Sequence, residues 1–166
     1  MSQNNDPRQQ LVDCIRMLEK ADIIDHNGHV SIRYGDNLLI NNGSAVKGLL
    51  TQDDLVEIDM DGNVVSGKGK PPLEFHIHTE IYRARPDVNA VVHSHSPTMI
   101  PFSVTGEPLK AVSHIASFLA HGCPVFEIRD VGITQGLLVT NNKQGEALAK
   151  TLSDKSVALM RGHGNL

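Results

Sequence analysis

An apolar run with β-branched residues, at positions 88–95, restricts how this chain can fold. The run ends in His93-Ser94-His95, and Ser96-Pro97 follow it. Such a run is typical of a buried strand, and Pro97 ends the strand because proline has no backbone N–H to donate. Residues i and i+2 of a strand point to the same face. The two imidazoles are therefore predicted to lie side by side at the mouth of the strand.

Short strands and helices alternate along the rest of the chain, which predicts a mixed α/β layer structure. The first helix begins after Asp6-Pro7 and carries Leu11, Ile15 and Leu18 at helical spacing. Asp61-Gly62-Asn63 is a strong hairpin signal between two strands. The further helices are predicted over residues 73–85, 111–120 and 141–152, and the other strands over 30–33, 38–40, 55–60, 64–66, 124–129, 136–140 and 157–161.

A third histidine occupies a similar position. His163 lies between two glycines at the end of the apolar run 157–161, and glycine permits close approach of two chain segments. If the two strands are neighbours, His93, His95 and His163 meet. Imidazole is the commonest side-chain metal ligand, and three ligands with open positions are typical of a catalytic metal site. The alternative is that His93 and His95 are ordinary hydrogen-bonded histidines, one of them in the core.

Glu74 is a candidate general acid/base. It opens a predicted helix directly after Lys70-Pro71-Pro72, and the diproline fixes the angle at which the chain enters the helix. The helix dipole alone also favours a carboxylate at this end, so a purely structural role stays open. His76 and His78 on the same helix do not share a face, because positions i and i+2 do not. We expect one of them to pack in the interior and the other to face solvent.

Composition argues against several classes of function. Fifteen Lys and Arg against nineteen Asp and Glu give a formal charge of −4, and no basic run stands out. Nucleic acid is therefore not an expected partner. No apolar stretch approaches the about 20 residues of a membrane helix, and the N-terminus lacks the pattern of a signal peptide. Cys14 and Cys123 are predicted to be reduced thiols of a cytoplasmic protein.

Several further motifs occur in a fixed order along the chain. They are Asn42-Gly43-Ser44 with Lys47-Gly48, Pro71-Pro72-Leu73-Glu74, His78-Thr79-Glu80-Ile81-Tyr82, Arg85-Pro86-Asp87-Val88, Val92-His93-Ser94-His95-Ser96-Pro97 and Arg161-Gly162-His163-Gly164. This set resembles the class II aldolase/adducin family, and the resemblance covers nearly the whole chain. It implies a three-layer α/β/α fold around a mainly antiparallel sheet, in one domain over residues 1–166 that lacks its C-terminal segment.

The resemblance also implies the roles of individual residues. One Zn²⁺ or Mn²⁺ ion is expected on His93, His95 and His163, with Glu74 as the acid/base beside it. A homotetramer with active sites at subunit interfaces is expected as well. The family's aldolases use a tyrosine of the neighbouring subunit, and the matching position here is His114, which can transfer a proton in the same way. From the residues alone, His114 is expected to be a surface or interface histidine.

Two departures from the family pattern bear on the substrate. Sugar-phosphate aldolases hold the phosphate with small and polar groups in three loops. Here the loop before the acidic residue carries Pro72-Leu73 in place of two serines, and the first loop reads Gly28-His29 in place of Gly-Asn. Only Gly43-Ser44 keeps the type of its loop. A dianionic phosphate needs several donors, so a phosphorylated substrate is disfavoured.

The motif set is similar to the decarboxylase branch of the family, whose members act on hydroxy-aromatic or hydroxypyridine dicarboxylates. We therefore predict a metal-dependent lyase that decarboxylates a small carboxylate. An aldolase that cleaves an unphosphorylated or acidic sugar is an alternative, because it uses the same ion. A non-catalytic, adducin-like interaction module is a second alternative, and the presence of all three histidines and the acidic residue argues against it. The candidate substrate-binding residues are His26, Gly28, His29, Gly43, Ser44 and Lys47, of which His26, His29 and Lys47 are candidates for binding a second carboxylate.

Overall fold

The main sheet of the protein has five strands, each paired antiparallel to its neighbours, in the order β4-β3-β2-β1-β5. The structure is a computed structural model that describes residues 6–133 and 136–166. The hairpin predicted at residues 61–63 is confirmed and joins β3 to β4. The strands are β1 (His29–Tyr34), β2 (Asn37–Asn41), β3 (Leu55–Ile58), β4 (Val64–Gly67) and β5 (Ala90–His93).

Helices cover both faces of this sheet, with α1 (Pro7–Lys20) on one face and α2 (His76–Ala84) and α4 (Asn142–Leu152) on the other. A further helix, α3 (Ile100–Thr105), packs against the small sheet described below. Short 3₁₀ helices lie at Lys47–Leu49, Gln52–Asp54, His114–Leu119 and Ile128–Asp130. As predicted, α1 begins after a start signal: Asp6 caps it and Pro7 occupies its first turn. Among the described residues, no helix is both long enough and apolar enough to span a membrane.

Alternating side chains of β2 divide the interior into two cores. Leu38 and Ile40 pack on one face with α2 and α4, whereas Leu39 packs on the other face with Leu11 and Ile15 of α1. Successive strand residues point to opposite faces, so each face needs its own cover. The predicted three-layer α/β/α arrangement around an antiparallel sheet is confirmed.

A small second sheet meets the end of β5. It contains β6 (Val125–Phe126), β7 (Leu159–Met160) and β8 (Gly164–Asn165), with β6 parallel and β8 antiparallel to β7. The backbones of Ser94 and Asn165 exchange two hydrogen bonds of 3.0 and 2.9 Å. The two histidine-bearing segments therefore meet through β8, the return strand of a hairpin, and not by direct pairing of β5 with β7.

The strand predicted over residues 136–140 is wrong. Residues 136 and 137 form a turn, and residues 138–140 have no regular structure. The backbone N–H groups of Val139 and Thr140 donate to the side chains of Glu74 and Gln144, both at 2.8 Å. These two side chains thus take up the hydrogen bonds that a partner strand would provide.

Other predicted elements are shorter than expected. The helix predicted over 111–120 is a 3₁₀ helix at His114–Leu119, because Val112 and Ile115 are exposed and no packed apolar face supports an α-helix there. The helix predicted from residue 73 begins at His76, after a turn. The strand predicted over 124–129 covers only Val125–Phe126 before the chain turns into a 3₁₀ helix.

Candidate metal centre

Three imidazole nitrogens converge at the junction of the two sheets. The Nε2 atom of His95 lies 3.1 Å from Nε2 of His93 and 3.2 Å from Nε2 of His163. Two nitrogens bound to one tetrahedral zinc ion at ~2.05 Å would be about 3.3 Å apart. The spacing of the three nitrogens therefore fits a common divalent ion.

The opposite ring nitrogens fix which atoms point inward. Nδ1 of His93 lies 3.1 Å from the carbonyl oxygen of Asn165, and Nδ1 of His163 lies 3.0 Å from the carbonyl oxygen of Leu137. A carbonyl oxygen only accepts, so both Nδ1 atoms carry the proton. In a neutral imidazole Nε2 then carries a lone pair. Lone pairs that face one another at this distance repel, and a shared cation removes the repulsion.

His95 is oriented by a carboxylate instead of a carbonyl. Its Nδ1 lies 2.9 Å from Oδ1 of Asp25, and the same oxygen accepts a hydrogen bond from the backbone N–H of Gly28 at 2.8 Å. Burial raises the pKa of Asp25, but the hydrogen bond and charge of His95, together with backbone hydrogen bonds such as that from Gly28, lower the pKa overall. This histidine–carboxylate pair is the arrangement that commonly supports metal-bound histidines.

Glu74 completes the cluster. Its Oε2 atom lies 3.4 Å from Nε2 of His163 and 3.8 Å from Nε2 of His93, while Oε1 accepts from the backbone N–H of Val139 at 2.8 Å. Ligand atoms of Glu74 and the three histidines all lie within 4.8 Å of one another. Because one oxygen is held and the other faces the nitrogens, Glu74 can bind the ion or act as acid/base beside it.

Burial keeps the innermost histidine neutral. His93 is fully buried, and desolvation together with the charges of His29, His163 and His95 lowers its pKa well below the ordinary value. A neutral imidazole is the form that binds metal. His29 pairs with His93 across β1 and β5, and their ring centroids lie 4.8 Å apart.

Two glycines bring His163 into position. Gly162 adopts a positive φ of 67°, which turns the chain between β7 and β8. A side chain at position 164 would overlap the carbonyl oxygen of Ser94, so glycine there lets β8 pair with the end of β5. The two glycines that flank His163 are thus the reason that its side chain reaches His95.

A cavity of about 450 Å³ opens onto the cluster. Its polar lining comes from Asn27, His29, Glu74, His95 and His163. Its remaining lining is formed by Gly43, Pro72, Leu73 and Leu138. A small molecule in this cavity would contact the metal ligands on one side and apolar side chains on the other.

Comparison with known proteins identifies the family. The family described as Class II Aldolase and Adducin N-terminal domain matches residues 9–166 of the chain. The chain belongs to this class II aldolase/adducin family. The expectation drawn from the motifs is confirmed, and the described cluster of three histidines and one glutamate could hold the divalent ion of such an enzyme.

The names of the relatives of this class II aldolase/adducin domain indicate two kinds of activity. The chain is 29% identical over 159 residues to L-fuculose phosphate aldolase of Methanocaldococcus jannaschii, and the match covers 96% of this chain and 81% of the relative. It is 32% identical over 153 residues to 3,4-dihydroxyphthalate decarboxylase of Arthrobacter keyseri, covering 82% of this chain but 58% of the relative. It is also 30% identical to decarboxylase tropJ of Talaromyces stipitatus, covering 95% of this chain and 65% of that protein.

Solved structures agree with the fold of the family. An aldolase II superfamily protein from Pseudomonas syringae matches with a TM-score of 0.81 at 26% identity, over 99% of this chain and 66% of that one. An L-fuculose 1-phosphate aldolase matches with a TM-score of 0.75 at 22% identity, over 98% of this chain and 74% of that one. The second likeness concerns the fold alone.

The predicted substrate residues lie in different places. His29 and Gly43 line the cavity at the cluster, whereas His26 and Lys47 line a neighbouring cavity with Asp25. Ser44 lines a third. Gly28 is buried beneath His93, and His114 is exposed on a 3₁₀ helix outside the cluster of its own chain.

The residues that support the metal ligands are not indicated by local sequence pattern. Asp25 orients His95, although the polar sequence around it is typical of an ordinary loop. His78 is fully buried and contacts His29, so one of the two histidines packs in the interior as predicted, while its neighbour His76 is partly exposed. The available signal was the i, i+4 spacing of His78 and Tyr82 on one helix face.

Proposed function

We propose that this domain is the core of a divalent-metal-dependent carbon–carbon lyase that decarboxylates a hydroxy-aromatic or hydroxypyridine carboxylate. The convergence of His93, His95 and His163 with Glu74 at one end of the cavity supports a metal-dependent lyase. The family supports it as well, since its relatives are named as aldolases and decarboxylases. The proposed ion is Zn²⁺ or Mn²⁺.

The choice of substrate rests on one observation: the backbone N–H groups of the predicted substrate loops already donate hydrogen bonds within the protein. The N–H of Gly28 donates to Asp25, that of Gly43 donates to the carbonyl oxygen of Lys70, and that of Ser44 donates to Oδ1 of Asn42. The hydroxyl of Ser44 also donates to Asn42. A phosphate group needs several free donors, and these groups already have acceptors. The loops therefore favour a substrate without phosphate.

The cavity wall favours a flat, partly apolar substrate. Pro72, Leu73 and Leu138 line it opposite the polar cluster. An aromatic ring placed against these side chains would leave its hydroxyl and carboxylate groups facing the histidines. Apolar walls also exclude water from the reacting carbon.

The ion and Glu74 would have different roles in the decarboxylation. When bound, the ion would supply Lewis-acid stabilisation of negative charge on the substrate's hydroxyl oxygen. Oε2 of Glu74 faces the cavity end of the cluster while Oε1 is held by Val139, so Glu74 can deliver a proton to the ring carbon. The bond between that carbon and the carboxyl carbon breaks, CO₂ leaves, and the delivered proton takes its place.

We further propose that the active protein is a homotetramer and that His114 acts across a subunit interface. His114 lies outside the cluster of its own chain, on an exposed segment. Neighbouring Val112 and Ile115 are 93% and 76% exposed. An exposed apolar segment of this kind is typical of a surface that another chain covers.

A class II aldolase that acts on an unphosphorylated or acidic sugar is the second candidate. It is favoured by the match to an L-fuculose phosphate aldolase over 96% of this chain. An aldolase would use the same four side chains to stabilise an enediolate, so the cluster itself does not separate the two reactions. The occupied loop N–H groups argue only against the phosphorylated form of its substrates.

A product assay tests this proposal directly. The purified protein is supplied with Mn²⁺ or Zn²⁺ and offered hydroxy-aromatic dicarboxylates and aldol substrates side by side. Release of CO₂ without aldehyde supports the decarboxylase, and aldehyde without CO₂ overturns it in favour of the aldolase. The His93→Ala variant is the control, and we expect it to lose activity and metal together.

Metal analysis separates an enzyme from a non-catalytic interaction module. We expect about one ion per chain after gentle purification, because three converging imidazole nitrogens that leave coordination positions open are typical of a divalent metal site. An active, metal-free His93→Ala protein would contradict both lyase proposals. Wild-type protein that takes up no ion would instead indicate the module.

A further inference from the structure

A line of buried polar side chains leads from the cavity into the layer between the main sheet and α2. Nδ1 of His29 lies 2.6 Å from Nε2 of His78, and Nδ1 of His78 lies 2.6 Å from Oγ of Ser31. Oγ of Ser31 lies 2.8 Å from the hydroxyl of Tyr82. No member of this relay (His29, His78, Ser31 and Tyr82) is more than 2% exposed. Such short, buried contacts are costly unless each proton has an acceptor.

The relay follows from two periodicities that face each other. His29 and Ser31 are two residues apart on β1, so both point to the α2 side of the sheet. His78 and Tyr82 are four residues apart on α2, so both point to the sheet. The four polar groups therefore interleave, and only His29 also lines the cavity at the metal cluster.

Counting protons gives the relay a direction. By distance alone, either oxygen of the contact between Tyr82 and Ser31 could donate. A backbone hydrogen bond at Val91 lowers the pKa of Tyr82, so the Tyr82 oxygen accepts there and its proton is directed to Ser31. Ser31 then donates to Nδ1 of His78. A neutral His78 carries its proton on Nε2 and donates to Nδ1 of His29. The reverse direction would require the Tyr82 oxygen to accept from both Val91 and Ser31 and to direct its proton elsewhere.

Burial keeps the inner groups of the relay neutral. Desolvation and the charge of His93 lower the pKa of His78 to about 3. Desolvation also raises the pKa of Tyr82 to about 12. Near neutral pH His78 therefore has one protonated ring nitrogen, and Tyr82 keeps its hydroxyl proton.

We propose that Tyr82, Ser31 and His78 are positioning residues that hold His29 as its Nε2–H tautomer, and that this N–H donates a hydrogen bond to an anionic oxygen of the carboxylate substrate. Nδ1 of His29 is occupied by His78, which leaves Nε2 as the ring nitrogen available to the cavity. The opposite tautomer would turn a lone pair towards an anion. The substrate contact rests on the proposed function, whereas the tautomer does not.

This arrangement gives the cavity a neutral donor beside a cation. The three inward nitrogens of the metal cluster are acceptors, and Glu74 is an acceptor when ionised. A carboxylate group bound at this end of the cavity would meet the fixed N–H of His29, and the histidine cluster would hold the ion that supplies positive charge. A donor that is already oriented costs no reorganisation on binding.

Nitrogen NMR of Zn²⁺-loaded, ¹⁵N-histidine-labelled protein tests the tautomer, because zinc is diamagnetic. Two-bond ¹H–¹⁵N correlations distinguish the protonated ring nitrogen from the unprotonated one. We expect His29 to carry its proton on Nε2 in the wild-type protein. A proton on Nδ1 overturns the proposal.

Variants at the head and middle of the relay test the positioning role. We expect Tyr82→Phe to give a mixture of His29 tautomers. The matched control is Tyr34→Phe, at the exposed other tyrosine of the chain, and we expect it to leave the His29 tautomer unchanged. Ser31→Ala breaks the relay with a smaller change of volume and serves if Tyr82→Phe fails to fold. An unchanged His29 spectrum in both variants overturns the relay.

Binding of salicylate, a hydroxy-aromatic carboxylate, tests the substrate contact. Calorimetry on Zn²⁺-loaded protein should give a Kd for His29→Phe that is roughly 10- to 100-fold weaker than for wild type, the effect of losing a hydrogen bond to a charged group. Metal content is measured on the same sample and should be unchanged. Equal affinity overturns the substrate contact. If His29 has its proton on Nε2 and His29→Phe binds salicylate more weakly, but the protein releases no CO₂, the proposed decarboxylation is contradicted and this inference stands.

Discussion

Gly164 lies directly against the carbonyl oxygen of Ser94, and a Cβ at position 164 would overlap that oxygen. The contact joins the small sheet to the end of β5 and so carries His163 to the other ligands. A Cβ at position 164 would also lie 3.2 Å from Cδ2 of the His95 ring. One hydrogen atom in place of a methyl group therefore decides whether the metal cluster can assemble.

Replacement of this glycine should weaken the metal site without unfolding the sheet. In Gly164→Ala the pairing of Ser94 with Asn165 must open, and we expect zinc affinity to fall about tenfold or more, as for other disturbances of the supporting shell. Calorimetric titration with Zn²⁺ measures the affinity, and circular dichroism monitors the fold. Gly48→Ala is the control, because its Cβ would meet only the flexible carboxylate end of Glu19. Wild-type affinity in Gly164→Ala would show that the junction tolerates a side chain.

Loss of the charge on Asp25 should reduce metal affinity through His95. The carboxylate holds Nδ1 of His95 at 2.9 Å and thereby orients Nε2 towards the ion. We expect Asp25→Asn to weaken zinc binding about 10- to 100-fold. The exposed Asp36 in the turn between β1 and β2 provides the control Asp36→Asn, which should bind zinc like wild type. Equal affinities for the two variants would remove Asp25 from the support of the site.

Glu74→Gln separates catalysis from metal binding. The amide oxygen can still accept from the N–H of Val139, so the loop should keep its position, but the side chain can no longer exchange a proton. We expect kcat to fall by about 10²- to 10⁴-fold, while metal content stays near that of wild type. Glu146→Gln, on the exposed side of α4, is the control. Loss of metal together with activity would instead make Glu74 a ligand.

Acid should destabilise the metal-free protein through His78. Its pKa is about 3 in the folded state against an ordinary value of 6.5, so between these values the unfolded chain binds a proton that the folded chain does not. The free energy of unfolding therefore falls as the pH falls through this window, by up to ~1.4 kcal/mol per pH unit for one such imidazole. Urea denaturation at about pH 7 and pH 5 measures the slope.

The variants for this experiment are His78→Gln and His121→Gln. The first variant should reduce the slope of the free energy of unfolding against pH by the contribution of one imidazole. The second variant, at an exposed position, should leave the slope unchanged. His29 and His93 also have lowered pKa values and contribute to the remaining slope. A wild-type slope in His78→Gln would mean that His78 is protonated in the folded state.

The candidate ligands could be read from local pattern. His93 and His95 end an apolar strand at i and i+2, and His163 follows another apolar segment between glycines. Strand periodicity and the steric freedom of glycine are local properties, so the sequence suffices for them. The same holds for the start of α1 at Asp6-Pro7 and for the hairpin at residues 61–63. The family resemblance added the role of Glu74, which local pattern had left open.

Which groups meet was decided by tertiary structure. The predicted strand 136–140 failed because the N–H of Val139 donates to Glu74, a contact between residues 65 positions apart. The support of His95 by Asp25 and the relay from His29 to Tyr82 also join distant segments. Such hydrogen bonds depend on how the layers pack. Sequence alone thus determined which side chains can bind a metal, and packing determined their proton positions and their common centre.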